Sequence, residues 1–174
     1  MLIYNKYLSV SPLTTHIPIN KVDREIKKNI IFNKIRKIDN FYKKILKTRA
    51  KIAVTGLNPH CESFEKRNKE KNEIVPAIKL LKKKKIDVSG PFPADTIFLK
   101  DNLKKFDVIV GMYHDQVLSP FKALYGFDAV NITFGLPYIR MSPDHGIAED
   151  KIRLNVSKPQ SLNRCIEIIT RLIK

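Results

Sequence analysis

Apolar runs too short for helices alternate along this chain with stretches whose apolar residues recur at helical spacing. That pattern predicts an α/β protein. Val108-Ile109-Val110, a β-branched run after a charged segment, reads as a buried strand that stops at Gly111. Leu8-Ser9-Val10 and residues 51–55 and 129–133 read the same way. Ile26, Ile30, Ile31, Ile35, Ile38, Phe41 and Ile45 predict one or two amphipathic helices up to residue 47, with Asn20 as the expected cap near Lys21. Ile74, Ile78 and Leu81 predict a helix over 73–84, whose closing lysines suit the negative end of the helix dipole. A helix over 118–124 and a last one over 160–173 are expected, the latter burying Leu162, Ile166, Ile169 and Leu172. Residues 62–72 are charged, lack an apolar period and read as a mobile loop running into a helix. Two prolines and a glycine make 89–96 a rigid loop in which Asp95 is placed to cap a short helix.

Composition changes this picture little. A chain of 174 residues with 43% hydrophobic content can bury one sizeable core. The net charge of +16 comes more from lysine than arginine. It is spread over helical faces, with no aromatic-interleaved basic stripe, so no nucleic-acid partner is expected. Cys61 and Cys165 are far apart and lack Cys-x-x-Cys spacing, which argues against a disulfide scaffold or a zinc ribbon. No signal peptide or bilayer-length apolar stretch is seen, so a cytoplasmic protein with no membrane partner is expected.

The histidines carry the candidate chemistry. Three of the four, His16, His60 and His114, follow strand-like runs, and His145 sits in an Asp-His-Gly turn. Sites in open α/β sheets gather outside the carboxyl ends of strands. A histidine there, with a carboxylate beside it as in His114-Asp115, is placed for metal or proton chemistry.

The segments Thr14-Thr15-His16-Ile17-Pro18, Gly56-Leu57-Asn58-Pro59-His60, Gly90-Pro91-Phe92-Pro93-Ala94-Asp95-Thr96, Met112-Tyr113-His114-Asp115-Gln116, Val130-Asn131-Ile132-Thr133, Gly135-Leu136-Pro137-Tyr138-Ile139-Arg140 and Asp144-His145-Gly146 occur in this order. Together they resemble the 4-hydroxythreonine-4-phosphate dehydrogenases of vitamin B6 biosynthesis. The resemblance implies an α/β/α sandwich like that of the isocitrate and isopropylmalate dehydrogenases, working as a homodimer. It implies oxidation of 4-phosphohydroxythreonine with NAD or NADP and a divalent metal (Zn, Mg or Co). The resulting β-keto acid decarboxylates to 3-amino-2-oxopropyl phosphate. By the same resemblance, His16, His60 and His114 are metal ligands shared between two subunits. Lys122, Asn131 and Arg140 bind the phosphorylated hydroxy amino acid. Asp95, Asp115 and Lys122 are the catalytic candidates, and His145 and Gly146 belong to the cofactor loop.

Three departures from the family pattern shape the expectation. The family's glycine-rich loop after His60 is replaced here by residues 62–67, and its glycine-containing loop after Gly146 by residues 147–155. The family's chain also carries a large segment ahead of the first motif. The expected product is therefore the second, dimer-forming domain without most of the first: residues 1–155 as the metal- and substrate-binding unit, residues 156–174 as a helix that returns to the first domain. A separate chain supplying that domain is one expected partner. The alternative is a non-catalytic dimeric metal-binding remnant.

Overall fold

A computed structural model describes residues 1–62, 68–144 and 159–173, with side chains to residue 170. Its centre is a seven-stranded mixed sheet: β1 (Leu2–Tyr4), β2 (Ser9–Pro12), β3 (Ile52–Thr55), β4 (Val88–Phe92), β5 (Val108–Gly111), β6 (Val130–Thr133) and β7 (Arg140–Pro143), in the order β4-β3-β5-β2-β1-β6-β7. The first four strands in that order are parallel; β1, β6 and β7 continue antiparallel. Helices α1 (Ile19–Glu25), α2 (Lys28–Phe41), α3 (Val75–Lys83), α4 (Ala94–Ile97), α5 (Lys100–Leu103), α6 (His114–Tyr125) and α7 (Gln160–Ile173) surround it, with π-helical turns extending α2 and preceding α3.

Side chains alternate across a strand, and here both faces are covered. Leu2, Ile52, Val54, Val108 and Val110 join Ile31, Ile35, Ile38, Ala77 and Leu81 of α2 and α3 in one core. Ile3, Val10, Ala53 and Ile109 join Val117 and Phe121 of α6 and Ile97 of α4 in the other. Burial on both sides explains why these strands read as continuous apolar runs. The architecture is an α/β/α sandwich, as the sequence implied.

Several local expectations are corrected. β1 was not foreseen, because three residues carry too short a pattern. Pro18, not Asn20, precedes the first turn of α1, and Asn20 lies inside the helix. Asp95 makes no capping bond: α4 begins at Ala94 after Pro93, and Asp95 sits exposed in its first turn. Helix α6 begins at His114, ahead of the expected 118, because its polar first turn hides the period that starts at Val117. Within the expected 62–72 loop, Asn68 and Glu70 are buried. The face of α7 is reversed. Leu162, Ile166 and Ile169 are 51%, 56% and 39% exposed, and the helix packs on β6 and β7 through Ser161, Cys165 and Ile168 instead. Leu172's side chain lies outside the described residues.

Candidate functional site

The three histidine-bearing loops leave the carboxyl ends of adjacent parallel strands, since β3, β5 and β2 are neighbours in the sheet. The sheet thus brings His60, His114 and His16 to one edge. His16 and His60 hold φ of 52° and 55°, the left-handed region that costs energy for a residue with a Cβ. Such backbone persists only where surrounding bonds over-determine it. The bonds are visible here. Leu13 N–H donates to Gly111 O at 2.7 Å, and the Thr14 hydroxyl donates to Met112 O at 2.8 Å, tying the His16 loop to the His114 loop. Buried Glu70 accepts from the backbone N–H groups of Leu57 and Asn58 at 2.9 and 2.8 Å and from the Asn58 amide, fixing the turn ahead of His60.

His16 and His114 face each other, with ring centroids 5.6 Å apart and planes at 54°. Asp115 Oδ1 lies 2.7 Å from His114 Nδ1, which holds the ring and leaves Nε2 for a ligand. Both imidazoles open on a cleft of about 560 Å³ that runs along α6 and is lined further by Lys122, Phe127, Asn131 and Asp144. The Lys122 ammonium is ion-paired with Asp144 and stands 4.1 Å from the centroid of the Phe127 ring. Asn131 Oδ1 is buried and has no hydrogen-bond partner among the described residues. A buried acceptor without a donor costs about 1–3 kcal/mol, which a bound donor would recover.

The chain therefore brings His16, His114, Asp115, Lys122 and Asn131 together. It does not bring His60 or Asp95 to them. His60 is exposed on its own turn, and Asp95 in α4 packs beside that turn. Burial, with the charges of Glu70 and Asp95, pushes the neighbouring Cys61 thiol up, against a backbone bond at Gly56 that lowers it. No three His, Cys, Asp or Glu side chains converge as a metal site among the described residues. Arg140 does not line the cleft; it is exposed at the start of β7, donating to the Thr133 hydroxyl at 3.0 Å. His145 and Gly146 lie outside the described residues.

Sequence reasoning missed three contributors. Glu70 looked like one charge among many in a polar loop. Asp144 was read only as part of a turn, yet it holds Lys122. Ser161 of α7 accepts from Asp144 N–H at 2.6 Å and donates to Ala129 O, anchoring Asp144 to the sheet.

Fold and cleft define an open α/β domain with two imidazoles at the ends of its parallel strands, a lysine on helix α6 and an unsatisfied amide on the antiparallel β6. Comparison with known proteins narrows the class. The family model described as pyridoxal phosphate biosynthetic protein PdxA matches residues 1–169, and the chain belongs to that family. It is 42% identical over 170 residues to a 4-hydroxythreonine-4-phosphate dehydrogenase of Sulfurihydrogenibium sp. (strain YO3AOP1), covering 97% of this chain and 52% of that one. It is 38% identical over 173 residues to a D-threonate 4-phosphate dehydrogenase of Pectobacterium atrosepticum, covering 99% and 53%. The crystal structure of a 4-hydroxythreonine-4-phosphate dehydrogenase from Klebsiella pneumoniae superposes with a TM-score of 0.78 at 34% identity, over 98% of this chain and 51% of that one. The chain spans about half the length of the curated relatives it matches. No helix among the described residues is long and apolar enough to cross a membrane.

Proposed function

We propose that this chain supplies the metal- and substrate-holding half of a 4-hydroxythreonine-4-phosphate dehydrogenase, acting as a homodimer with NAD or NADP. The observation that carries the reading is the single cleft holding His16, His114, Lys122 and Asn131. The residues present suit a divalent ion: two imidazoles face each other, and one is held through Nδ1 by a carboxylate. His60, exposed on the same sheet edge with Asp95 beside it, is the third ligand donated to a partner copy's cleft. A two-fold dimer makes that exchange reciprocal.

A divalent ion held there would polarise the substrate's secondary alcohol and ease its loss of hydride. The chain's own groups do the rest. Asp115 fixes the His114 ring. Asn131 Oδ1 takes a hydrogen bond from a donor group of the substrate, and Lys122, held by Asp144 against Phe127, gives one to an acceptor. Arg140 lies outside the cleft, donating to the Thr133 hydroxyl, and is the remaining candidate to meet the phosphorylated end. NAD or NADP, when bound, would supply the acceptor for the carbinol hydride, and the hydroxyl proton would leave to water. The β-keto acid that results then loses carbon dioxide.

Nicotinamide placement falls to the family's remaining half. Alignment of that kind accounts for roughly 7–11 kcal/mol of a barrier. The 174-residue chain by itself is therefore expected to bind metal and substrate without turning substrate over. That half, carried on a separate chain or on a longer product, would restore the rate. The test is NADH formation from 4-phosphohydroxythreonine with zinc or magnesium. A rate from this chain alone, abolished by Lys122→Ala, would contradict the half-site reading and make the catalytic unit smaller.

A further inference from the structure

We propose that Gln116 is a positioning residue that couples the His60 and His114 loops and, through Met112, the His16 loop. The proposal rests on the reading that these histidines bind a metal. Its observation is a three-way hydrogen-bond junction. Gln116 Oε1 accepts from Met112 N–H at 2.6 Å and from the Thr55 hydroxyl at 2.8 Å, and Gln116 Nε2 donates to Gly56 O at 2.8 Å. One half-buried side chain thus ties the end of β3, which leads to His60, to the end of β5, which leads to His114. Met112 extends the junction, since its carbonyl accepts from the Thr14 hydroxyl and backbone two residues before His16.

The local sequence is built around this docking. Gln116 is the third residue of α6, where a side-chain carbonyl reaches back over the helix start as in a capping box. Here it reaches Met112 rather than the residue at the cap, Tyr113. Gly111 makes the room: a Cβ there would stand 3.1 Å from Gln116 Oε1 and 2.4 Å from Val117 Cγ1. An amide is the group this place requires. It must accept on one side, from an N–H and a hydroxyl, and donate on the other, to a carbonyl. A carboxylate keeps the acceptor and turns the donor into a repulsion against Gly56 O. That substitution releases the His60 loop while leaving the α6 start intact.

Groups that orient metal ligands typically change metal affinity 10–100-fold when replaced. The experiment compares the parent chain with Gln116→Glu and Thr55→Val in cobalt(II) titrations read by the visible absorption of the bound ion. Histidine ring NMR of the metal-free proteins is recorded alongside. The expected result for Gln116→Glu is at least a tenfold weaker cobalt site with an altered band, shifted His60 ring signals, and cooperative thermal unfolding retained. Thr55→Val, which removes one hydrogen bond, is expected to weaken cobalt about 2–10-fold. Should Gln116→Glu fail to fold, Thr55→Val carries the test alone. Cobalt affinity, band shape and His60 signals all unchanged in the folded variants would overturn the proposal. If the parent itself binds no cobalt, the metal reading fails separately, and the metal-free ring signals still decide whether Gln116 couples the loops.

Discussion

Glu70→Ala is the substitution through which the structure's account of the His60 turn is most exposed. The carboxylate is 2% exposed and accepts from two backbone N–H groups at 2.9 and 2.8 Å, and from the Asn58 side-chain amide at 3.2–3.3 Å. Alanine leaves the Leu57 and Asn58 N–H groups without their acceptor inside a half-buried turn. Each orphaned group costs about 1–3 kcal/mol. Some water entry into the vacated space reduces the sum, so the expected loss is about 3 kcal/mol. In a chain of this size that lowers the melting temperature by about 6–12 °C. Glu70→Gln keeps an acceptor oxygen for both N–H groups and loses the charge assistance and one of the two oxygens facing the Asn58 amide, so its expected cost is about 1 kcal/mol. Urea unfolding followed by far-UV circular dichroism measures both. His60 ring NMR reports the turn, and it should sharpen toward a mobile signal in Glu70→Ala alone. A loss below about 1 kcal/mol for Glu70→Ala, or equal losses for the two variants, would refute the reasoning that the carboxylate holds this turn.

Three further outcomes follow from the same geometry. Gly111→Ala drives a methyl into Val117, 2.4 Å from its Cγ1, and is expected to cost about 1–3 kcal/mol by overpacking, read as a lower urea midpoint. Burial, with the charges of Tyr4 and Asp107 adding to it and a Ser9 hydrogen bond opposing it, pushes the Tyr42 phenol above its ordinary value. The folded state then holds that proton more tightly than the unfolded one, so stability is full below about pH 10 and falls as pH rises beyond it, by up to about 1.4 kcal/mol per unit. Urea midpoints at pH 9 and 11 should show a smaller fall for Tyr42→Phe than for the parent. Ile166→Asp, on the exposed stripe of α7, should change the stability of the chain by no more than about 0.5 kcal/mol. A loss above about 2 kcal/mol, by the same measurement, would mean that the stripe is covered.

Parallel strands β2, β3 and β5, the central helices and the three histidine loops were legible because their signals are local, whereas β4 (Val88–Phe92) falls in the 89–96 stretch whose glycine and prolines read as a rigid loop, and it is a strand only because β3 pairs with it. β-branched runs buried on both faces, and isoleucines at helical spacing, need no distant partner to be recognised. What escaped depends on contacts far apart in sequence. β1 is a strand only because β2 and β6 flank it. Glu70 matters because the chain folds it under a turn some 12 residues earlier. Lys122 and Asp144 are 22 residues apart. The amphipathic period of α7 told that one face is apolar, and could not tell which face the sheet would take. Ser161, a polar residue with two hydrogen bonds to make, and Cys165 decided that docking. The histidine loops show the same division. Sequence indicated that each closes a strand; the loop contacts decided which rings meet, with the Thr14–Met112 bonds drawing the His16 loop to the His114 loop while His60 stays exposed on its own turn.

The central claim is that His16, His114 and a second copy's His60 hold one divalent ion. The most direct test is zinc content after exhaustive dialysis, measured with oligomeric state by sedimentation, for the parent and for His16→Ala, His60→Ala and His114→Ala. The account predicts about one zinc per chain in a dimeric parent and a sharp loss in every variant, His60→Ala included although its ring lies apart from the other two. Parental zinc content in all three variants would contradict it.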